Sequence, residues 1–262
     1  MKILITGWSG FVGKNLLPKL KNHELLLFKR NLEEVKQFKP DVIYSLAGEI
    51  YDTNKMFEAN VKLINDLLFT LNNYKAFIHV GSSSEFGRKQ NPIKETDYLN
   101  PTTWYEGTKA AGSLLCQSFA KQFNEPIIVV RPFSLYGPKD NEKKLIPTLI
   151  RKAKTDKKIT LSHAMHDYVY IEDFIDGIMS FSNGNFDYGD IVNFGSGIQY
   201  DNEEIARFIE KIMNIKFDIE FVERIKPYDS MNWVCDTTVK NKYGWKAKTS
   251  ILDGLKLTIK HY

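Results

Sequence analysis

Short apolar runs alternate with longer amphipathic stretches through the first half of the chain, and this alternation constrains the fold more than any other feature. The runs are nearly continuous, as expected for strands buried on both faces of a sheet; they lie at residues 3–5, 25–28, 42–46, 77–80 and 127–130. The amphipathic stretches between several of them predict helices at residues 13–20, 56–71 and 110–123. This rhythm predicts an α/β fold with a doubly wound parallel sheet.

The composition of the chain argues against several classes of protein. Its 262 residues include 36 Lys and Arg against 32 Asp and Glu, and the interspersed charges are unlike a nucleic-acid-binding patch. With 43% hydrophobic and 26% charged residues, the composition is that of an ordinary globular protein. No uninterrupted apolar stretch approaches the roughly 20 residues of a membrane span, and the first residues are unlike a secretory signal. We therefore expect a cytoplasmic protein with no nucleic-acid or membrane partner.

The cysteines and histidines lack the spacing of a disulfide framework or a metal site. The two cysteines, Cys116 and Cys235, lie far apart, and each is expected to be a buried, small hydrophobic residue. Among the histidines, the pair His163 and His166 beside Asp167 approaches the spacing of metal ligands. That pair is too small for a site, so we predict no metal ion.

A glycine-rich turn follows the first apolar run and precedes a predicted helix. Glycines at three-residue intervals allow a tight turn, let backbone N–H groups reach a pyrophosphate and let the helix pack close to the strand. The position between strand and helix is the context that a dinucleotide-binding turn requires. We predict that the cofactor is held by Gly7, Ser9, Gly10, Phe11, Val12 and Gly13. The alternative is a plain glycine-rich turn between strand and helix.

Two basic residues, Lys29 and Arg30, follow the second apolar run. At this place a carboxylate suits the ribose 2′-hydroxyl of NAD, whereas a cation suits the 2′-phosphate of NADP. Lysine and arginine would pair with that phosphate. We therefore predict NADP(H) as the preferred cofactor, with NAD(H) as the alternative, although two basic residues could also mark a solvated strand end.

A serine-rich strand end and a tyrosine–lysine pair carry acid–base chemistry. Residues 77–87, FIHVGSSSEFG, form an apolar run that ends in hydroxyl groups and a glycine turn. Tyr105 and Lys109 are four residues apart, which places them on one face of a helix. A nearby ammonium lowers the cost of forming tyrosinate, whose free pKa is about 10. Tyr105 is thus a candidate general acid or base.

Taken together, motifs along essentially the whole chain resemble those of the extended short-chain dehydrogenases/reductases of the NAD-dependent epimerase/dehydratase family. The combination is far more specific than any one motif. The matching segments are the glycine turn, PDVIYSLAG (40–48), NV (60–61), the serine segment, Tyr105 with Lys109, VVRPFSLYGP (129–138), DYVYIEDF (167–174), VNFGSG (192–197) and YGWKAKTSILDGL (243–255). The resemblance implies a Rossmann-type sheet with a smaller C-terminal substrate lobe.

The resemblance also implies catalytic roles at matching positions. Tyr105 would transfer the proton at the reacting oxygen, and Lys109 would hold the nicotinamide ribose and favour ionised tyrosine. Ser82 would hydrogen-bond the substrate oxygen; Ser83 is the alternative for this catalytic hydroxyl. Ser83 and Glu85 are expected to contact the substrate. The competing interpretation is a serine-rich strand end that satisfies local backbone groups.

Further cofactor contacts are implied by the same resemblance. Leu46, Ala47 and Gly48 would line the cofactor, and Pro132 and Phe133 would pack beside the nicotinamide amide. These contacts add to that of Lys109 with the nicotinamide ribose. Ordinary core packing or turn chemistry is the alternative at each of these positions.

Three other positions stay open. Asn60 is either a structural helix residue or a member of a proton relay, and Trp104 is either a wall of the substrate site or a rim aromatic. In the family an arginine commonly stands where this chain has His166, and that arginine can contact a nucleotide diphosphate. This departure weakens the inference that this chain shares the nucleotide-sugar substrates of the family.

The domain organisation follows from the same patterns. After Gly137 the pattern becomes irregular, and residues 169–181 and 191–194 then predict a helix and a buried strand that return to the sheet. We predict a dinucleotide-binding domain from residues 1–137 plus 167–195 and a substrate-binding lobe from 138–166 plus 196–262. Residues 31–40 have room for one small helix, so a strand and its adenine-contacting turn, usual in the family, are expected to be missing.

The resemblance leaves the reaction open among dehydratase, epimerase and reductase. Dehydratases of the family use an Asp-Glu pair directly after the catalytic hydroxyl, and this chain has Ser83-Ser84 there. Epimerases regain their hydride in each cycle and suit NAD, whereas a net reductase draws on NADPH. Lys29 and Arg30 therefore favour an NADPH-dependent reductase of a keto sugar, and the preferred substrate is the C4 ketone of a nucleotide-linked 4-keto-6-deoxy sugar.

Two rival functions remain from the sequence. One is an NAD(P)-dependent nucleotide-sugar 4-epimerase, and the other is an NADP-sensing binding protein that has lost the chemistry. The resemblance further implies a homodimer formed through the helices at residues 56–71 and 110–123, whose apolar residues on more than one face suit an interface or plain burial.

Overall fold

The computed structural model describes residues 1–223, 230–237 and 242–262. Strands alternate with helical segments through the first half of the chain, as the hydrophobic pattern predicts. In chain order the elements are β1 (Lys2–Thr6), α1 (Phe11–Leu16), β2 (Glu24–Leu27), α2 (Leu32–Phe38), β3 (Val42–Ser45), α3 (Thr53–Phe57), α4 (Leu63–Thr70), β4 (Ala76–Val80), α5 (Trp104–Phe123), β5 (Ile127–Pro132), β6 (Ser134–Tyr136), α6 (Leu145–Ala153), β7 (Lys158–Leu161), β8 (Met165–Tyr170), α7 (Ile171–Ser180), β9 (Ile191–Phe194), β10 (Gln199–Asp201), α8 (Asn202–Met213), β11 (Asp218–Phe221) and α9 (Ile251–Ile259). Single 3₁₀ turns lie at Leu17–Leu20, Ser83–Phe86 and Phe181–Asn183, and a π turn at Glu58–Lys62 joins α3 to α4.

The central sheet has six strands in the order β2-β1-β3-β4-β5-β9, and the pairings from β2 to β5 are parallel. The chain leaves β1 for β2 on one side and then crosses to β3 on the other. The strand order therefore reverses between β1 and β3, and ligands of such sheets bind at the carboxyl ends beside this reversal. The predicted Rossmann-type α/β fold is confirmed, with each predicted sheet strand formed to within two residues of its expected ends.

Burial on both faces explains why these strands read as continuous apolar runs. Every residue of β3, β4 and β5 is buried. One core cluster joins strand residues to the helices that cover them, including Leu4, Ile43, Phe77, Leu67 and Cys116. Both cysteines are buried, as the sequence predicts.

Residues 31–40 form one short helix and no strand. Asn31 caps α2, its side-chain oxygen accepting from the backbone N–H groups of Glu33 and Glu34 at 3.1 and 3.2 Å. Lys39 ends the helix in the left-handed conformation, with φ of 50°. The chain then enters β3 without forming a further strand, as the length of this link predicts, and β2 lies at the edge of the sheet.

The chain divides into two compact units. The first consists of residues 1–87, 95–132 and 175–193 and holds most of the six-stranded sheet; the second consists of 88–94, 133–174 and 194–262. The predicted domain boundaries differ from this division at residues 88–94, 133–137, 167–174 and 194–195, which lie in the second unit. One physical reason is that β8 pairs with both β6 and β10 in a separate three-stranded sheet. The functional division of the chain stays a prediction.

Buried carboxylates join distant segments within the second unit. Asp167 accepts hydrogen bonds from the backbone N–H groups of Ser196, Gly197 and Cys235 at 2.7 to 3.0 Å. Asp173 accepts hydrogen bonds from the backbone N–H groups of Lys248 and Thr249 at 2.8 and 2.7 Å.

Across the described residues we find no helix that combines the length and the apolar character needed to cross a membrane.

Candidate functional site

The glycine turn after β1 has no room for larger residues. Gly7 has φ of 63°, and a Cβ there would lie 2.6 Å from the backbone nitrogen of Ala47. A Cβ on Gly13 would lie 2.5 Å from the Cα of Trp8, while the backbone N–H of Gly10 closes the turn onto the carbonyl of Gly7 at 3.0 Å. The turn is therefore a narrow backbone cradle, and its shape fits the pyrophosphate of a dinucleotide.

The loop after β3 is tied to the end of β1. The hydroxyl oxygen of Thr6 accepts hydrogen bonds from the backbone N–H groups of Leu46 and Ala47 at 3.1 and 3.0 Å. Leu46 and Ala47 are half-buried, and Gly48 is exposed. The structure thus brings the glycine turn and the predicted cofactor-lining loop together at the strand-order reversal. Sequence reasoning missed Thr6, for which a hydroxyl residue directly before the first glycine was the available signal.

Lys29 and Arg30 lie on the same side of the sheet as the glycine turn. Leu27 pairs with Ile5 at the carboxyl ends of β2 and β1, and the indole N–H of Trp8 donates to the carbonyl of Phe28 at 3.3 Å. Both cationic residues are exposed. They form a positively charged edge beside the cradle, which suits an anionic group on a bound nucleotide.

The Ser82 turn follows β4 directly. Ser82 caps the 3₁₀ turn, its oxygen accepting from the backbone N–H of Ser84 at 3.1 Å and lying 2.7 Å from the Ser84 hydroxyl. Ser82 is half-buried, whereas Ser83 has 4% of its surface exposed. Accessibility therefore favours Ser82 over Ser83 as the hydroxyl that meets a substrate. The local capping bonds that the competing interpretation expects are present as well.

Glu85 has no exposed surface. Its carboxylate accepts from the backbone N–H of Ser82 at 2.8 Å, from the Ser113 hydroxyl at 2.7 Å and from the Arg131 guanidinium at 2.6 Å. A carboxylate paired in this way offers no surface to a sugar, which argues against the expected substrate contact. Arg131 stands 46 residues later in the chain, so the pairing gives no local signal in the sequence.

Helix α5 presents the tyrosine–lysine pair. Thr103 caps it, with its hydroxyl accepting from the backbone N–H of Glu106 and the Glu106 carboxylate accepting from the backbone N–H of Thr103. Four-residue spacing on this helix puts Tyr105 and Lys109 on one face. Tyr105 is half-buried at the beginning of the helix, beside Trp104, which is 56% exposed.

Lys109 is buried, with 4% of its surface exposed, and its ammonium donates to the backbone carbonyl of Val80 at 2.7 Å. Burial lowers the pKa of Lys109 below that of an ordinary lysine, and the negative charge of Glu85 opposes the shift. His79 is buried close by, and burial, together with the charges of Lys109 and Arg131, holds its pKa well below the usual range. Near neutral pH the imidazole of His79 is therefore neutral.

Asn60 uses its amide to join three segments. It is fully buried in the π turn between α3 and α4. Its nitrogen donates to the Thr108 hydroxyl at 3.0 Å and to the carbonyl of Glu49 at 3.1 Å, and its oxygen accepts from the backbone N–H of Glu49 at 2.9 Å. These contacts match the structural alternative, in which Asn60 fixes the loop after β3 against α5.

Pro132 and Phe133 lie at the end of β5 and are buried. The backbone N–H of Phe133 donates to the carbonyl of Phe194 at 2.9 Å, and its ring centroid lies 6.3 Å from that of Trp233. Core packing accounts for these contacts, and a nicotinamide contact stays a prediction.

No group of three or more His, Cys, Asp or Glu side chains suited to a metal ion occurs in the part of the chain that the structure describes.

Comparison with known proteins gives a family match and close structural relatives. The sequence model of the NAD dependent epimerase/dehydratase family matches residues 3–195. A Bacillus subtilis (strain 168) protein named as an uncharacterized UDP-glucose epimerase is 26% identical over 302 residues, covering 97% of this chain and 96% of that protein.

Two solved structures share the fold. UDP-glucuronic acid 4-epimerase from Bacillus cereus, in complex with UDP-glucuronic acid and NAD, has a TM-score of 0.89 at 23% identity, covering 100% of this chain and 98% of that chain. RMD from Pseudomonas aeruginosa, complexed with NADPH, has a TM-score of 0.86 at 20% identity, covering 99% and 98%. Structures of this fold thus hold either nicotinamide cofactor.

Proposed function

The chain belongs to the NAD dependent epimerase/dehydratase family and is an enzyme of the short-chain dehydrogenase/reductase type, and from this premise we propose that it is an NADPH-dependent reductase of a keto sugar. The preferred substrate is the C4 ketone of a nucleotide-linked 4-keto-6-deoxy sugar. The observation that carries the proposal is the exposed pair Lys29 and Arg30 beside the glycine cradle. Two cations at this place favour NADPH, the usual hydride donor for a net reduction.

The cofactor is held by backbone and charge. The cradle of Gly7, Gly10 and Gly13 receives the pyrophosphate, and Lys29 and Arg30 pair with the 2′-phosphate. When bound, a reduced nicotinamide supplies hydride to the carbonyl carbon.

Three side chains contribute to proton transfer and charge stabilisation at the substrate oxygen. Ser82 donates a hydrogen bond to it and stabilises the negative charge that develops. Tyr105 gives its phenolic proton to the same oxygen, so the ketone becomes an alcohol and the tyrosine becomes a phenolate that solvent reprotonates. Lys109, as an ammonium on the same helix face, favours that phenolate.

Loss of water is disfavoured by the residues that follow Ser82. Ser83 and Ser84 occupy the positions at which the resemblance expects an acidic pair, and neither hydroxyl is a general acid or base at neutral pH without activation. The next carboxylate along the chain, Glu85, is buried against Arg131. These features support a reductase or an epimerase over a dehydratase.

A nucleotide-sugar 4-epimerase is the second candidate. It is supported by the similarity to the Bacillus subtilis protein that is named as an uncharacterized UDP-glucose epimerase, and to the UDP-glucuronic acid 4-epimerase from Bacillus cereus. The same Ser82, Tyr105 and Lys109 would serve it, because each half-reaction moves a proton and a hydride at one carbon. The difference is that an epimerase consumes no cofactor over a complete turnover.

The deciding experiment follows cofactor and sugar together. The purified protein is mixed with NADPH or NADH and a panel of nucleotide-linked keto sugars, and in parallel with the corresponding hydroxy sugars and NAD. A reductase consumes NADPH in proportion to the alcohol formed. Interconversion of two hydroxy sugars at constant cofactor would assign the epimerase instead, and no reaction with either panel would overturn both assignments.

We also propose a homodimer through α3, α4 and α5. Large apolar side chains are exposed on these helices: Phe57 is 51% exposed, Phe69 71%, Leu114 48% and Phe123 49%. Rings contact one another along this surface, with the centroid of Phe119 5.2 Å from that of Phe69 and 4.6 Å from that of Phe123. Exposed apolar side chains of this size are typical of interaction surfaces.

A further inference from the structure

The carboxylate of Glu85 joins three elements of the first unit. Its Oε1 accepts from the backbone N–H of Ser82, in the turn after β4, and from the hydroxyl of Ser113, on α5. Its Oε2 accepts from the guanidinium of Arg131, on β5. Glu85 and Ser113 have no exposed surface, and Arg131 has 2%. The group is therefore held in one place by buried, charge-assisted hydrogen bonds.

Ser113 lies on the same face of α5 as the tyrosine–lysine pair. It follows Lys109 by four residues and Tyr105 by eight, which is one and two turns along the helix. The single oxygen Oε1 of Glu85 thus binds both the backbone of Ser82 and the helix that carries Tyr105. The position of the turn relative to the helix is set through this oxygen.

The chain leaves space for this arrangement. A Cβ on Gly81 would lie 2.5 Å from Oε1 of Glu85 and 2.7 Å from the Ser113 hydroxyl. The Arg131 guanidinium packs over the ring of Phe86 with 4.8 Å between its carbon and the ring centroid. A buried ion pair gives little net stability compared with apolar packing, so stability alone does not account for a charged group here.

We propose that Glu85, held by Ser113 and Arg131, is a positioning residue that fixes the Ser82 turn relative to Tyr105 and Lys109. The inference rests on the proposed function in that Ser82 and Tyr105 act on one substrate oxygen. Small displacements at such a site have large kinetic effects, about 10²-fold for 1 Å.

The first test reads the position of the turn without a substrate. Ser113→Ala removes one donor to Glu85 and leaves the ion pair in place; Ser118→Ala is the matched control, because the Ser118 hydroxyl is exposed on the same helix and donates to carbonyls of its own helix. Hydrogen exchange of the Ser82 amide is compared with that of the Phe77 amide, which donates within the sheet region to Pro126.

We expect Ser113→Ala to speed exchange at the Ser82 amide by at least about tenfold and to leave exchange at the Phe77 amide unchanged. Local opening raises the exchange rate of one amide, whereas global unfolding raises the rates of both. Ser118→Ala should leave both amides unchanged. Equal changes at Ser82 and Phe77, or no change at either, would overturn the proposal. This readout stays decisive even if no keto sugar is reduced, so failure of the proposed function is recognised separately.

The second test is a double-mutant cycle on turnover. Ser113→Ala should lower kcat by about tenfold and leave KM within about twofold, since the effect is on geometry at the reacting oxygen. In a Ser82→Ala background the same change should have no further effect, because residues that act as a unit are non-additive. Full additivity of the two changes would show that Ser113 and Glu85 do not act through Ser82.

Discussion

Lys109 donates a 2.7 Å hydrogen bond from its ammonium to the backbone carbonyl of Val80, the last residue of β4. Ser82 stands two residues further along the same strand end. This one hydrogen bond therefore joins α5, which carries the tyrosine–lysine pair, to β4, the strand that precedes Ser82. Because Lys109 is buried, this bond also fixes where its charge lies.

The burial of Lys109 predicts a pH dependence of catalysis. Burial lowers its pKa below the ordinary 10.5, against the opposing charge of Glu85, so the ammonium is lost at lower pH than in a free lysine. We expect kcat to fall on the alkaline side with a midpoint below 10.5, measured as a pH–rate profile. A Lys109→Arg variant should lack this limb, and an unchanged limb in that variant would assign the titration to another group.

The same shift predicts the opposite sign for stability. Between the lowered pKa of the folded state and the ordinary pKa near 10.5, the unfolded chain binds the lysine proton and the folded chain does not. The free energy of unfolding contributed by this group therefore rises with pH in that window. The measurement is urea unfolding at several alkaline pH values for the wild type and for Lys109→Met, in which the rise should be absent.

Changing Tyr105 to Phe should remove proton transfer and leave binding intact. We expect kcat to fall by at least ~10²-fold, the usual contribution of a positioned general acid. The dissociation constant for NADPH, measured by fluorescence titration, should stay within about twofold. Tyr188→Phe is the matched control, since Tyr188 is 41% exposed in the same unit. Comparable turnover in Tyr105→Phe and wild type would remove Tyr105 from the mechanism.

The cations after β2 should set the choice of cofactor. Arg30 has φ of 64°, so asparagine, which tolerates this conformation, is the suitable replacement. We expect Lys29→Ala with Arg30→Asn to weaken NADPH binding by about 10- to 100-fold, as for lost charged hydrogen bonds, and to leave NADH binding nearly unchanged. Lys21→Ala, at another exposed lysine, should change neither affinity. Equal weakening of both cofactors would contradict a 2′-phosphate contact.

The buried pair of Glu85 and Arg131 should be costly to break on one side. Arg131→Met leaves a buried carboxylate without its cation, and we expect a loss of about 3–5 kcal/mol in the free energy of unfolding. Adding Glu85→Gln to that variant removes the second charge and should recover most of the loss. Urea unfolding measures both variants. If the double variant were less stable than the single, the two charges would not be a pair.

The exposed apolar side chains on α4 and α5 should hold two copies together. Phe69→Ser combined with Phe123→Ser should convert a dimer into a monomer of about half the mass by light scattering, because the most exposed of these rings is removed from the interface. Phe221→Ser, at a ring that is 43% exposed in the second unit, serves as the control. A wild-type protein that scatters as a 30.3 kDa monomer would refute the dimer.

Local pattern was enough to predict the sheet and the tight glycine turn after β1. The apolar runs identify the strands because burial on both faces selects continuous apolar sequence. The short link at residues 31–40 correctly predicts one helix and no further strand, since ten residues have no room for both. The spacing of Gly7, Gly10 and Gly13 predicts a tight turn, and the structure shows that larger residues would collide there.

The buried polar contacts of the candidate site could not be predicted in the same way. The resemblance implies a substrate contact for Glu85, whereas the structure pairs its carboxylate with Arg131, 46 residues away. Asn60 and Thr108 are 48 residues apart and still share a hydrogen bond. Such pairs leave no periodic signal, so one sequence gives no means of finding them.

The sequence by itself determined the α/β fold, the glycine turn and the residue types available for proton transfer. Tertiary structure decided which of those groups are exposed, which carboxylate is buried and where the charge of Lys109 lies. The physical reason is the range of the interactions: strand, helix and turn preferences act over a few neighbouring residues. Desolvation and charge pairing depend on segments that meet only after the chain has folded.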